Sequence, residues 1–174
     1  PALVIDPLNP NTLYASAGAV FKSTDAGLSW KASNSGLADS SVALAIDPQT
    51  PSTLYAGTDS REGVFKSTDS GASWNASGVG LPDFADSLAI VADPKMPSTL
   101  YTATGYGGVF KSTDSGASWN ASGVGLPDFA FPVALVADPN MPNTLYTAAD
   151  HRVFKSTNGG TSWSATDLSP SVSG

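Results

Sequence analysis

The stretch Gly63–Trp74, GVFKSTDSGASW, returns without a change at Gly108–Trp119. Looser copies stand at Val20–Trp30 (VFKSTDAGLSW) and Val153–Trp163 (VFKSTNGGTSW). The serine that opens the polar half falls at Ser23, Ser67, Ser112 and Ser156, in steps of 44, 45 and 44 residues. Each copy places a strand-like apolar pair before a tight polar reversal, the pattern of a β-hairpin. A fixed period of that length means units that stack side by side, because one small sheet cannot bury its own faces.

Every unit carries four strand candidates in one order. The first is an apolar run closed by Asp-Pro: Ala2–Asp6, Val42–Asp47, Leu88–Asp93 and Val133–Asp138. Proline cannot donate to a ladder and aspartate caps turns, so each run should stop there. The second is the short run Thr12–Ala15, Thr53–Ala56, Thr99–Thr102 and Thr144–Thr147. Val-Phe-Lys-Ser supplies the third strand, and the fourth starts at Ser-Trp, as in Ser73–Ala76. Runs such as LAI and TLY are apolar on both faces, as a sheet covered on both sides requires. No stretch has a helical period.

The expected fold is therefore all-β, a β-propeller of four-stranded antiparallel blades with four blades per chain. The whole of residues 1–174 reads as one domain, with blades at about 1–40, 41–85, 86–130 and 131–174. Two arrangements satisfy four blades: a closed four-blade ring, or half of an eight-bladed dimer. Unsealed end blades would expose apolar sheet faces, so self-association is expected.

Ser67-Thr68-Asp69-Ser70-Gly71-Ala72-Ser73-Trp74 resembles the Asp-box, or bacterial neuraminidase repeat, Ser/Thr-x-Asp-x-Gly-x-x-Trp. Ser23, Asp25, Gly27 and Trp30 match it, as do Ser112, Asp114, Gly116 and Trp119. Ser156, Gly160 and Trp163 match with Asn158 in the aspartate position. The wider unit is similar to sialidase-like propeller repeats, including those of xyloglucanase-type glycoside hydrolases and photosystem assembly factors. The resemblance implies a structural role for all sixteen box positions. Turn chemistry agrees: Asp or Asn accepts backbone N–H groups, glycine takes a left-handed conformation, and Trp covers the hairpin.

Charge limits the partners. Fifteen acidic residues against eight basic ones give a net charge of −7, which disfavours phosphate backbones. No nucleic-acid partner is expected, and no membrane insertion, since no apolar run nears the roughly 18–20 residues of a span. The chain has no cysteine, which removes disulfides and thiolate chemistry. A Ser/Thr/Gly-rich, Lys-poor composition fits an exported protein, extracellular or periplasmic.

Function in a repeat scaffold should sit where the units differ. The loops after the second strands hold Asp59, Arg61, Glu62, Tyr106, Asp150, His151 and Arg152, including both arginines and the single histidine. The loops between blades add Asp39, Asp83, Phe84, Asp86, Asp128, Phe129 and Phe131. Phe131 has no aromatic counterpart in the second blade and joins the candidate binding face: Asp59, Arg61, Glu62, Tyr106, Phe131, Asp150, His151 and Arg152. An aromatic near carboxylates and an arginine suits a carbohydrate or a protein partner.

Catalytic sets are incomplete. The sialidase resemblance would require an arginine triad and a Tyr–Glu pair, whereas the chain has two arginines and one glutamate. Asp83 and Asp128 occupy equivalent turns and read as turn residues rather than a glycosidase pair. No cofactor or metal is expected, because neither zinc-ligand spacing nor an alternating calcium loop is present. The leading expectation is a non-catalytic module for binding or assembly. The alternatives are a glycoside hydrolase relative lacking a complete site, and a self-assembling structural or engineered repeat protein.

Overall fold

A computed structural model describes residues 1–37, 41–59, 63–83, 85–105, 107–127, 131–141 and 143–166. Among the described residues it contains sixteen strands and no helix. The first blade holds β1 (Ala2–Ile5), β2 (Leu13–Ser16), β3 (Val20–Ser23) and β4 (Lys31–Ala32). The second holds β5 (Ser41–Ile46), β6 (Leu54–Thr58), β7 (Val64–Ser67) and β8 (Asn75–Ala76). The third holds β9 (Ser87–Ala92), β10 (Leu100–Thr104), β11 (Gly108–Ser112) and β12 (Asn120–Ala121). The fourth holds β13 (Ala134–Ala137), β14 (Leu145–Ala149), β15 (Arg152–Ser156) and β16 (Ser164–Ala165). Each group forms one antiparallel sheet whose strands lie in chain order.

Several strand boundaries differ from the sequence reading; the second strands, for instance, begin at Leu13, Leu54, Leu100 and Leu145 rather than at the threonines before them and run on to Ser16, Thr58, Thr104 and Ala149. The first strands end before their aspartates, because each carboxylate folds back onto the chain. Asp47 Oδ1, for example, accepts the N–H groups of Gln49 at 2.8 Å and Thr50 at 2.9 Å. The fourth strands are only two residues long and begin after the tryptophan, not at Ser-Trp. The Trp backbone is committed elsewhere: the N–H groups of Trp74, Trp119 and Trp163 donate to carbonyls of the preceding blade, Ser35, Val79 and Val124.

Alternation along the strands gives each blade two unlike faces. Register places Val4, Ala45, Val91 and Val136 in equivalent positions, and Ile5, Ile46, Ala92 and Ala137 one residue on. The forward face meets the next blade with residues such as Val4, Tyr14 and Val20. The backward face of that next blade answers with Leu44, Leu54, Phe65 and Trp74. Tyr55 and Val64 meet Ile90, Leu100, Phe110 and Trp119 in the same way. Tyr101 and Val109 meet Leu135, Leu145, Phe154 and Trp163. The core thus lies between blades, not within them. Each fully buried Leu, Val or Phe contributes roughly 1.5–3 kcal/mol, so a blade's stability comes from its neighbours.

First strands of consecutive blades lie against each other, β1 on β5, β5 on β9 and β9 on β13. No such packing joins β1 to β13 among the described residues. Leu3 and Ile5 on the backward face of the first blade are 64% and 50% exposed, and Val136 on the forward face of the fourth is 56% exposed. The four blades therefore form an open arc. Among the described residues the closed four-blade ring is not formed, because the faces that would seal it stand in solvent.

Candidate binding site and blade junctions

The box turns are built by the serine as much as by the aspartate. Ser67 Oγ, fully buried, accepts the N–H groups of Asp69 at 3.3 Å and Gly71 at 2.9 Å and donates to Asp69 Oδ1 at 2.8 Å. Asp69 in turn accepts the N–H of Ser73 at 2.8 Å and its hydroxyl at 2.6 Å. The carboxylate thus reaches four residues onward, not two. These hydrogen bonds, first those from Ser73, lower the Asp69 pKa to about 2. Asp25 and Asp114 are held at about 2 by the same arrangement with Ser29 and Ser118. Asn158 keeps it through its amide, accepting the Ser162 N–H and donating to the Ser162 hydroxyl.

Two consecutive left-handed residues make each turn: Ser70 with Gly71, Ser115 with Gly116, Ala26 with Gly27, and Gly159 with Gly160. In the second, third and fourth blades their carbonyls become acceptors for the preceding blade. Tyr14 Oη and Lys22 Nζ donate to the Ser70 carbonyl at 3.2 and 3.1 Å, and Ser33 Oγ donates to that of Gly71 at 2.7 Å. Tyr55, Lys66 and Ser77 treat Ser115 and Gly116 identically. Tyr101, Lys111 and Ser122 do so with Gly159 and Gly160. Each lysine also lies about 5.3–5.5 Å over its tyrosine ring, a cation–π contact.

Tryptophan returns the connection. The indole Nε1 of Trp74, Trp119 and Trp163 donates to the carbonyls of Ser33, Ser77 and Ser122 at 2.7–2.8 Å. Among the described residues no blade precedes that of Trp30; its Nε1 turns to its own Gly27 carbonyl at 3.1 Å, and the ring is 38% exposed. The junction role of the lysines was not read from the sequence. Its signal was the constant Lys beside a constant Tyr, which a surface residue would not need.

Four of the candidate binding residues meet in one place. Phe131, Asp150, His151 and Arg152 line a concavity of about 430 Å³ with Val133, Ala148, Ala149 and Val153, on the fourth blade. Its floor is apolar and its rim carries both charge signs. Asp150 and His151 form the two-residue turn between β14 and β15, where Ala149 pairs with Arg152. Both have left-handed backbones, φ 50° and 61°, as a type I′ hairpin requires, and neither is glycine. This is stored backbone strain beside a pocket. Asp59 is exposed on the second blade, away from this pocket. Arg61, Glu62 and Tyr106 lie outside the described residues, as do Asp39, Phe84, Asp128 and Phe129. Asp86 leaves one buried carboxylate oxygen without a partner. Among the described residues no three His, Cys, Asp or Glu side chains gather as metal ligands, and no helix is long and apolar enough to cross a membrane.

No protein-family model matches the chain, and no curated protein matches it. Solved structures do. An ancestral GH74 enzyme is similar over 93% of this chain and 23% of its own, with 26% identity and a TM-score of 0.74. The extracellular domain of BT4673 from B. thetaiotaomicron aligns over 95% of this chain and 22% of its own, at 13% identity and TM-score 0.72. YCF48, in a structure with the D1 peptide, aligns over 89% of this chain and 49% of its own, at 14% identity and TM-score 0.61. This chain spans less than half of each of these proteins. With the four sheets and their face-to-face packing, the likenesses identify the fold as a β-propeller arrangement of four blades.

Proposed function

We propose that the chain is a non-catalytic Asp-box propeller module, exported from the cell, that serves as a scaffold for binding or assembly. One observation carries this reading: the residues that recur in every unit are consumed in turns and blade junctions. The box carboxylates are saturated by serine and backbone donors, which leaves them no proton to exchange with a substrate near neutral pH. What does not recur, Phe131 with Asp150, His151 and Arg152, supplies an apolar hollow with a charged rim. That chemistry suits a protein segment or a sugar ring, by stacking and charge-assisted hydrogen bonds. The extracellular neighbour and the peptide-bound YCF48 support export and a protein partner.

The test combines a binding screen against glycans and peptides with turnover assays on polysaccharides. Binding weakened by Arg152→Ala, without any release of sugar, is the expected outcome. A second reading draws on the 26% identity to a GH74 enzyme: a portion of a glycoside hydrolase with an incomplete site. Release of reducing sugar from xyloglucan, lost in Asp83→Asn, would replace the scaffold reading with this one.

A further inference from the structure

The fourth box turn departs from its siblings at two adjacent positions. Where the others read Asp25-Ala26, Asp69-Ser70 and Asp114-Ser115, it reads Asn158-Gly159, the one Asn-Gly step in the chain. That pair is chemically labile. The peptide nitrogen of the following residue attacks the asparagine Cγ, the Cγ–Nδ2 bond breaks, and a five-membered imide forms as ammonia leaves. Water then opens the imide at one carbonyl to give aspartate, or at the other to give isoaspartate. Glycine makes the attack easiest, because no Cβ screens its nitrogen.

In the fold both reacting groups are engaged elsewhere. The Gly159 N–H donates to the Asn143 carbonyl at 2.8 Å, and Gly159 is buried although Asn158 is exposed. The Asn158 amide is drawn forward over the turn. Its Oδ1 accepts the Ser162 N–H and the Ser156 hydroxyl, both at 2.9 Å, and its Nδ2 donates to Ser162 Oγ at 2.8 Å. The Thr161 hydroxyl donates to the Asn158 carbonyl at 2.9 Å, which fixes the peptide plane that the attack has to rotate. The third blade clamps the rest: Tyr101 Oη and Lys111 Nζ donate to the Gly159 carbonyl at 3.2 and 3.0 Å, and Ser122 Oγ donates to that of Gly160 at 2.8 Å. Freeing Gly159 therefore requires the seam between the third and fourth blades to part. Every one of these contacts lies within those two blades.

The two products differ in fit. In the sibling turns the hydroxyls of Ser29, Ser73 and Ser118 donate to the second carboxylate oxygen at 2.5–2.6 Å. An aspartate at position 158 needs only that the Ser162 hydroxyl turn from acceptor to donor. Isoaspartate instead routes the main chain through the former side chain. That lengthens the turn by one carbon and takes Oδ1 out of its place between Ser156 and Ser162.

We infer that Asn158 is a modification site gated by the fold. Assembled, the seam keeps it closed to imide formation; once the seam opens, it converts to an aspartate that the turn accepts or an isoaspartate that the turn rejects. Conversion at this residue records past openings of one particular blade junction.

The test holds the 174-residue chain in mildly alkaline buffer, or in the same buffer with urea, and follows Asn158 by peptide mass spectrometry with isoaspartate-specific enzymatic methylation. Conversion is expected to be at least about tenfold slower in buffer than in urea, since only local opening admits it. Lys111→Met removes a donor to the Gly159 carbonyl and should speed conversion in buffer by about threefold or more, with the urea rate unchanged. Ser122→Ala serves as the second seam variant should Lys111→Met lose the circular dichroism spectrum of the parent. Asn158→Asp should melt at the parent temperature. Three results overturn the inference: equal rates in buffer and urea, a folded seam variant that converts no faster than the parent, or an Asn158→Asp chain that melts well below it.

Discussion

The indole nitrogen of Trp119 donates to the carbonyl of Ser77, 42 residues earlier and one blade back, at 2.7 Å. The bond is buried, so removing the donor strands an acceptor in a dry junction. Trp119→Phe removes that donor and also leaves a cavity where the larger indole packed; the expected cost is about 2–4 kcal/mol. Trp30→Phe, at a ring that is 38% exposed, should change stability by less than about 0.5 kcal/mol. Urea unfolding of the two variants checks the contrast.

Acid should weaken the chain late. Asp25, Asp69 and Asp114 have pKa values of about 2 in the fold against an ordinary 3.8. A depressed folded-state pKa means the contribution is full above about pH 4 and is lost as pH falls toward 2. Asp69→Asn combined with Asp114→Asn should flatten the fall in melting temperature between pH 4 and pH 2, with the fourth blade, which has Asn158, as the natural precedent. Thermal melts across that interval decide it.

Alkali should act through two tyrosines. Burial, with a smaller contribution from Asp47 or Asp93, pushes Tyr55 and Tyr101 up to about 12. Their folded pKa exceeds the unfolded value near 10, so stability is complete below pH 10 and is lost as pH rises through 12. Tyrosinate absorbance should show two groups that ionise only with unfolding, and Tyr55→Phe should remove one.

Gly80 carries a junction on its backbone. Its φ is 91°, and an added Cβ would collide with the Trp119 carbonyl of the next blade. Gly108 has φ 78° with open space around it. Gly108→Ala should show the left-handed strain alone, about 1 kcal/mol, while Gly80→Ala adds the collision and should exceed it by about 1 kcal/mol or more. Calorimetric melting of both variants measures the difference.

Period, strand order and hairpin turns were legible because they are local: Asp-Pro stops, Gly turns and β-branched runs act within a few residues. The direction of each side chain across a junction was not. Trp74 reads as a lid on its own hairpin, and only the neighbouring blade reveals that its N–H belongs to Ser33. Ser67 likewise reads as a box marker, yet it is the acceptor that ties the turn. Lys66 looks like a surface charge until its reach to the Ser115 carbonyl is seen. At the candidate site, Phe131 and His151 are twenty residues apart in the chain, and only the hairpin register of β13 to β15 brings them to one hollow.

The near identity of the second and third blades has a bearing on inheritance. Their shared junction is made from the same halves as the other two, so loss or gain of a whole unit by unequal recombination leaves every remaining seam properly matched. Copy number is then free to drift while the grammar of the seam is held fixed, and the size of the finished wheel becomes a quantity that selection can tune one unit at a time.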